Sequence, residues 1–334
     1  MPAIAVADAL RAEGAHVSFV GGQRAEAELV PAAGYELDPI TVEGISRRNP
    51  LKAIRAAGKA ALALRAAARI LGERDADAVL GGGGYVAGPV GLAAVLRRVP
   101  LVLAEADSHI GLSNRLLAGR ARRVCLAFPI RGRGGERYVV TGRPVPPRAA
   151  ERGPARAALG IGADEPCVLV FGGSLGARSI NEAAPRAFAD APYRVLHIAG
   201  RRDFPDLRAP RPHYDLRDYV TPFGRALAAA DLAVARAGGS IFELAQYGLP
   251  AVLVPYPHAT ADHQTANARW MQQGGAASVI ADAALTPERL RAEVDAILLD
   301  PQRLTAMAAA SARLARPDAA RDVARAVLAA ARER

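Results

Sequence analysis

Three glycine-rich segments of the chain have the composition of phosphate-binding loops. They span residues 81–89, 172–177 and 236–240, and each follows a short apolar run and precedes a stretch with helical periodicity. Glycine lets backbone N–H groups approach an anion closely, and a helix N-terminus adds positive potential. Tight helix–sheet packing is the plainer explanation for any single loop, but three in matching positions favour a phosphorylated ligand.

None of these loops matches a nucleotide-hydrolysis or redox motif. No lysine stands between Gly172 and Ser179, where a Walker A loop requires one, and no loop has the GxGxxG spacing of a dinucleotide site. The sequence therefore disfavours both ATP hydrolysis and dinucleotide redox chemistry.

Polar side chains follow two predicted strand ends in the second half of the chain. Glu243 lies one helical turn after Ser240, where a carboxylate can accept both hydroxyls of a ribose. A solvated helix carboxylate is the equally weighted alternative. Residues 255–264 hold two histidines, an aspartate and a glutamine, a set that suits sugar hydroxyls but lacks a familiar zinc spacing. An Asp-x-Asp pair at 75–77 precedes its strand, and we interpret it as a turn.

Alternating strands and helices must position these loops. Apolar runs predict strands at 15–22, 35–42, 78–81, 101–104, 124–128 and 137–141, then at 167–171, 194–199, 232–235, 251–255 and 277–280. A Pro-rich breaker at 142–147 separates the two series, and helical stretches at 287–299, 301–314 and 318–331 end the chain. The pattern predicts an α/β protein of two Rossmann-like domains around a cleft. We place them at 1–145 and 146–334, with a last helix able to pack back on the first domain. Residues 1–10 already have the pattern of a first helix, without the strand expected before it.

Composition and charge restrict the partners. The 334 residues carry a net charge of +10, which favours an anionic partner, but only 5% are aromatic, so a stacking platform for single-stranded nucleic acid is disfavoured. Cys125 and Cys167 lie in apolar runs and predict buried, reduced thiols. No apolar stretch is long enough for a membrane span, and the start lacks the features of a signal peptide. Lys52, Arg55 and Lys59 share one face of a predicted helix, which suits an anionic lipid surface or solvent equally.

Taken in order, the motifs resemble the MurG family, the N-acetylglucosamine transferases of bacterial peptidoglycan synthesis. The resemblance rests on Arg24 with Glu26, on residues 83–89 (Gly-Gly-Tyr-Val-Ala-Gly-Pro), on Glu105 with 111–114 (Gly-Leu-Ser-Asn), and on 172–181, 236–243, 248–251 and 262–268. It implies a GT-B fold and an inverting glycosyltransferase. The implied reaction moves GlcNAc from UDP-GlcNAc to undecaprenyl-diphospho-MurNAc-pentapeptide, the step from lipid I to lipid II.

The resemblance implies a donor site built mainly by the second domain. The residues at the family's donor positions are Asp107, Ser174, Val220, Gly239, Ser240, Glu243, His263 and Gln264. Val220 would bind uracil through its backbone, Glu243 the ribose hydroxyls, and Gln264 the GlcNAc hydroxyls with His263 beside it. Ser174, Gly239 and Ser240 would hold the diphosphate.

The resemblance places the acceptor mainly in the first domain. The residues at acceptor or diphosphate positions are Gly82, Gly83, Gly84, Tyr85, Asn114 and Asn181. The catalytic base stays open between Glu105 and Asp107. No cofactor or metal is required, although a divalent cation can assist acceptor binding. The implied partners are UDP-GlcNAc, the lipid-linked muramoyl-pentapeptide and an anionic membrane surface, not nucleic acid. The implied location is the cytoplasmic face of the cell membrane, as a peripheral protein.

The chain departs from the family pattern at three places. Asp107 stands at an asparagine position of a His-Glu-Gln-Asn stretch, and residues 143–146 (Arg-Pro-Val-Pro) lack the arginine of an Asn-Pro-Val-Arg stretch. Relatives begin with a strand and a Gly-Gly-Thr-x-Gly-His loop whose histidine is a candidate base, so we expect the native start to lie upstream of Met1. Without that segment we expect instability and little turnover.

Three alternatives remain beside the transferase. Another GT-B sugar-nucleotide enzyme would share the phosphate loops, although residues 83–89 and 262–268 favour the MurG family. A UDP-sugar-binding protein without turnover is compatible with the absent first loop. A nucleic-acid binder comes last, and would bind in a steeply salt-dependent way without responding to UDP.

Overall fold

Parallel strands alternate with helices in two units of the chain. The computed structural model describes residues 2–23, 25–42, 50–173 and 176–333, and of residues 25 and 50–59 it describes the backbone alone. Unit 1 comprises Met1–Val145 and Arg316–Arg334, and unit 2 comprises Pro146–Ala315. The chain therefore first passes from unit 1 to unit 2 within the Pro-rich segment 142–147. The segment that contains the last helix belongs to unit 1.

Unit 1 alternates parallel strands with helices. Its elements are α1 (Pro2–Ala12), β1 (Ser18–Gly21), α2 (Ala25–Ala32), β2 (Glu36–Pro39), α3 (Pro50–Glu73), β3 (Val79–Gly81), α4 (Gly84–Leu96), β4 (Leu101–Glu105), α5 (Leu112–Leu117), β5 (Arg123–Leu126) and β6 (Tyr138–Val140). The strands form two separate parallel sheets, β1–β2 and β3–β4–β5–β6. The Asp-x-Asp pair lies in the turn between α3 and β3, as predicted.

Unit 2 is built around one six-stranded parallel sheet. Its elements are α6 (Arg152–Leu159), β7 (Cys167–Phe171), α7 (Arg178–Ala187), β8 (Arg194–Ile198), β9 (Tyr214–Arg217), α8 (Gly224–Ala229), β10 (Leu232–Ala235), α9 (Ser240–Tyr247), β11 (Ala251–Leu253), α10 (His263–Gln273), β12 (Ala277–Val279), α11 (Pro287–Leu298) and α12 (Pro301–Leu314). The strand order is β12–β11–β10–β7–β8–β9. Strand β9 was missed by the sequence prediction, and the other predicted strands are present with ends shifted by a few residues.

Burial explains why the central strands could be predicted from the sequence. Every residue of β7 and β10 is buried, because helices cover both faces of the parallel sheet and leave no polar face. Cys167 is among them, and Cys125 is buried in β5, so both predicted buried thiols are confirmed. Burial raises the pKa of both thiols to about 12.

The last helix, α13 (Ala319–Arg332), packs on the first. Val6 and Leu10 of α1 form one buried cluster with Val323 and Val327 of α13. Within the residues described, no helix is both long enough and apolar enough to cross a membrane.

Candidate active site

The candidate donor site lies at the carboxyl edge of the unit 2 sheet. From β7 the chain runs outward through β8 to β9, and it then returns to place β10 on the other side of β7. Phe171 at the end of β7 is in register with Ala235 at the end of β10. Two of the glycine-rich loops therefore leave adjacent strands at the point where the strand order reverses. In open α/β sheets this point forms the ligand crevice.

Close backbone contacts explain the glycines of the loop at 172–177. A Cβ on Gly172 would lie 2.3 Å from the Cβ of Ala177, within the same loop. Gly176 has a φ of +83°, and a Cβ there would lie 2.1 Å from the carbonyl oxygen of Ala199. The loop thus leads directly into the N-terminus of α7. Ser174, predicted to hold the diphosphate, lies outside the described residues.

A hydrogen-bond network around Asn181 lies next to Gly176 of this loop. The Asn181 Nδ2 donates to the Ala199 carbonyl oxygen and to Oδ2 of Asp203, each at 2.9 Å. Its Oδ1 lies 2.9 Å from Nε2 of His197. Asn181 is only 1% exposed, so it presents no open polar atom to a ligand, and its place in the diphosphate site stays a prediction.

The loop after β10 is anchored by the Arg236 side chain. Its guanidinium donates to the carbonyl oxygens of Val254 and Pro255, and pairs with Asp282 at 2.5 Å. It also donates to Oγ of Ser179, which itself donates to Asp282. These bonds tie together segments that follow four of the parallel strands. Arg236 is the first residue of the motif at 236–243, but the hydrogen-bond partners of its side chain were not predicted.

Helix α9 begins directly at the predicted binding residues. Gly239 is the residue before the helix and Ser240 is its first residue. Glu243 lies in the first turn and is partly buried. The Asn267 Nδ2 donates to the carbonyl oxygen of Ala237, so a second buried asparagine holds this second loop.

The segment after β11 brings Gln264 to the same edge. The Oε1 of Gln264 accepts from the backbone N–H of Tyr256 at 3.0 Å, and its Nε2 lies 3.8 Å from a Cβ built on Gly238. The His263 Nδ1 lies 2.8 Å from the Thr260 carbonyl oxygen, so this nitrogen carries the proton in that bond. Gln264 thus lies beside the loop that precedes α9.

Val220 lies a few residues after β9. In the sheet, β9 and β10 lie on opposite sides of β7. Its side chain is buried, whereas that of the preceding Tyr219 is 43% exposed. The Arg201 guanidinium lies 5.6 Å from the centre of the Tyr219 ring. The proposed uracil contact of Val220 stays a prediction.

The predicted acceptor loop of unit 1 leads from β3 into α4. Gly83 precedes the helix and has a φ of +82°, Gly82 is exposed, and Tyr85 is 65% exposed in the first turn. The Ser113 Oγ donates to the Gly84 carbonyl oxygen, which joins this loop to α5.

Glu105 organises the loop that follows β4. Its two oxygens accept from the backbone N–H groups of Asp107 and Gly111 and from Nδ2 of Asn114. Glu105 is only 8% exposed, whereas Asp107 is partly exposed. The Arg143 guanidinium donates to the Ala106 carbonyl oxygen at 3.3 Å, next to Asp107. Of the two candidate bases, Asp107 is therefore the more accessible.

No group of histidine, cysteine and acidic side chains within the described residues has the arrangement of a metal site. The candidate phosphate sites include the N-termini of α7 and α9, a feature that favours anions, and the expectation that no metal is required stays a prediction. The predicted assistance of a divalent cation to acceptor binding stays a prediction.

Comparisons with known proteins agree with this architecture. The model of the glycosyltransferase family 28 N-terminal domain matches residues 1–126, and that of the C-terminal domain matches residues 167–323. The chain is 42% identical over 349 residues to the UDP-N-acetylglucosamine--N-acetylmuramyl-(pentapeptide) pyrophosphoryl-undecaprenol N-acetylglucosamine transferase of Salinibacter ruber, covering 99% of this chain and 93% of the relative. The same-named protein of Alkalilimnicola ehrlichii is 42% identical over 345 residues, covering 99% and 95%. The crystal structure of Acinetobacter baumannii MurG has a TM-score of 0.78 at 31% identity and covers 98% of this chain and 95% of that one.

Proposed function

The chain belongs to the MurG family of glycosyltransferases, and from that premise we propose that it transfers GlcNAc from UDP-GlcNAc to undecaprenyl-diphospho-MurNAc-pentapeptide. A hydroxyl oxygen of the acceptor forms a bond to C1 of GlcNAc, while the bond from C1 to the β-phosphate oxygen breaks. The hydroxyl proton passes to a base, and UDP leaves with the electron pair.

The neighbouring N-termini of α7 and α9 carry this proposal. They follow adjacent parallel strands, and both are preceded by glycine-rich loops. Negative charge develops on the diphosphate as the bond to C1 breaks, and pre-oriented N–H groups stabilise that charge without reorganisation. We therefore assign the donor diphosphate to the loop at 172–177, Gly239 and Ser240.

The same edge offers groups for the rest of the donor. Glu243 in the first turn of α9 would accept the ribose hydroxyls, and the backbone of Val220 would bind uracil. Gln264 and His263 would bind the hydroxyls of GlcNAc. The Gln264 Oε1 accepts from Tyr256, so its Nε2 is the atom that would donate to the sugar.

We assign the acceptor diphosphate to residues 82–85 of unit 1, with Asn114 holding the adjacent loop. Asp107 is our choice for the base, because Glu105 is nearly buried and both its oxygens accept hydrogen bonds. The donor half needs no resident metal in this scheme, and a divalent cation would act only on acceptor binding.

We also propose that α4 and α5 rest on the cytoplasmic membrane surface. Tyr85, Leu92 and Leu96 share one face of α4, and Leu112 and Leu116 lie one turn apart on the adjoining α5. All five are exposed, with Leu96 at 66% and Leu116 at 73%. Apolar groups presented together in this way mark an interaction surface rather than a solvated one.

Exposed arginines border this apolar surface, with Arg97 and Arg98 directly after α4 and Arg115 on α5. Cations beside an apolar face favour anionic lipid, so we expect sedimentation with phosphatidylglycerol vesicles but little with phosphatidylcholine vesicles. The double variant Leu96→Glu with Leu116→Glu should lose this binding, and equal binding by the variant would refute the assignment. The predicted basic face of Lys52, Arg55 and Lys59 falls on a part of α3 whose side chains lie outside the description.

A transfer assay tests the proposed reaction. The chain is incubated with UDP-GlcNAc labelled in the sugar and with a lipid-linked muramoyl-pentapeptide acceptor, and labelled lipid product is counted. The product that forms should come from UDP-GlcNAc, with little from UDP-glucose. Thermal stabilisation by UDP-GlcNAc without product would favour a binding protein without turnover, and no response to either donor would refute donor binding.

A further inference from the structure

A chain of three buried polar side chains runs beneath the loop at 172–177. The His197 side chain, on β8, is 0% exposed. Its Nδ1 lies 2.7 Å from the Tyr214 hydroxyl on β9, and its Nε2 lies 2.9 Å from Oδ1 of Asn181 on α7. A fully buried histidine needs partners for its polar atoms, and here both ring nitrogens have one.

The hydrogen-bond pattern fixes the tautomer. The Asn181 Nδ2 already donates to two oxygens, those of Ala199 and Asp203, so its Oδ1 can only accept. The Nε2 of His197 must therefore carry the proton, and Nδ1 accepts from the Tyr214 hydroxyl. Burial lowers the pKa of His197 to about 4, so the ring is neutral near pH 7.

This network contacts the loop through Gly176. A Cβ on Gly176 would meet the Ala199 carbonyl oxygen at 2.1 Å, Nδ2 of Asn181 at 3.0 Å and Oδ2 of Asp203 at 3.2 Å. Gly176 therefore packs against the Asn181 amide and the two oxygens to which that amide donates. The orientation of the amide in turn depends on the N–H that His197 donates to it.

We propose that His197 is a positioning residue for the donor diphosphate: by donating to Asn181 it fixes the amide beside which Gly176 packs, and so fixes the position of Gly176 at the start of the path into α7. The proposal rests on the proposed function, since it presumes that this loop binds the diphosphate of UDP-GlcNAc. His197 itself is fully buried, so it acts through Asn181 and not by contact with the ligand.

Loss of the hydrogen bond from His197 to Asn181 has a specific structural consequence. Without the N–H of His197, Oδ1 of Asn181 is left buried and unpaired. A rotated amide would instead place its oxygen against the carbonyl oxygen of Ala199. Either outcome moves the surface on which Gly176 rests.

The test compares three variants by calorimetric titration with UDP and by steady-state kinetics. His197→Leu removes both hydrogen bonds, and we expect about tenfold weaker UDP binding and a matching rise in the KM for UDP-GlcNAc. The acceptor KM should not change. His197→Gln keeps one donor and one acceptor at the end of the side chain, so it should restore most of the affinity.

Tyr193→Phe is the matched control. Tyr193 lies just before β8, is 2% exposed and donates to Asp295 at 2.7 Å, so the variant also loses a hydrogen bond of a buried side chain, but at the opposite end of β8 from the loop. We expect a lower melting temperature with unchanged UDP affinity. Wild-type affinity in His197→Leu, or equal weakening in Tyr193→Phe, would overturn the positioning role. A wild-type chain that fails to bind UDP would instead refute the proposed function on which it rests.

Discussion

Gly176→Ala should lower the kcat/KM for UDP-GlcNAc far more than it lowers the free energy of unfolding. The built Cβ lies 2.1 Å from the Ala199 carbonyl oxygen, whereas real Cβ atoms essentially never approach closer than 3.0 Å. The loop must therefore shift by about 1 Å, and a misplacement of that size can cost about 100-fold in rate, or about 2.7 kcal/mol of transition-state stabilisation.

Gly160→Ala separates this effect from simple backbone strain. Gly160 ends α6 with a φ of +66°, close to the +83° of Gly176, but its built Cβ meets nothing within 4 Å. Both variants should lose about 1–2 kcal/mol of unfolding free energy from the left-handed backbone alone. Only Gly176→Ala should lose about 100-fold in kcat/KM for UDP-GlcNAc.

Initial rates over a range of UDP-GlcNAc concentrations, with urea unfolding of each variant in parallel, make the comparison. If Gly176→Ala keeps its kcat/KM within a factor of about three of Gly160→Ala, the loop does not hold the diphosphate in the way proposed.

Three further changes should have separable effects. Arg236→Met leaves its ion-pair partner uncompensated, so unfolding free energy should fall by about 2 kcal/mol in urea melts and the KM for UDP-GlcNAc should rise about tenfold; an unchanged KM would remove Arg236 from the support of the site. Asp107→Asn removes the proposed base and should lower kcat by about 100-fold with little change in acceptor KM; a near-wild-type kcat would exclude Asp107. The pKa of His197 is lowered by burial to about 4, so between that value and its ordinary pKa the unfolded chain binds more protons than the folded one. Unfolding free energy should therefore rise by about 2–3 kcal/mol between pH 4.5 and 7 in wild type relative to His197→Leu, and parallel pH profiles would contradict this.

The sequence predicted the buried strands well because parallel strands covered on both faces are continuous apolar runs. Strand β9 escaped because it is an edge strand with the sequence Tyr-Asp-Leu-Arg, too polar to stand out from a loop. Its Arg217 pairs with Asp215 on the same strand, a contact that does not depend on burial.

The positions of the glycine-rich loops followed from the rule that ligands bind at the carboxyl ends of parallel strands. The supports beneath the loops did not follow, because they are contacts between distant parts of the chain, such as Arg236 with Asp282. One signal was available: His197 is a lone polar residue within the run Val-Leu-His-Ile, and such a residue requires buried partners. The roles of the donor and acceptor residues rest on the family resemblance and stay predictions.

A crystal structure of this chain with UDP bound tests the location of the donor site most directly. We expect the diphosphate between the loop at 172–177 and the first turn of α9, with the ribose hydroxyls on Glu243 and uracil against the backbone of Val220. UDP bound elsewhere on unit 2, or a diphosphate that contacts neither helix N-terminus, would contradict the account.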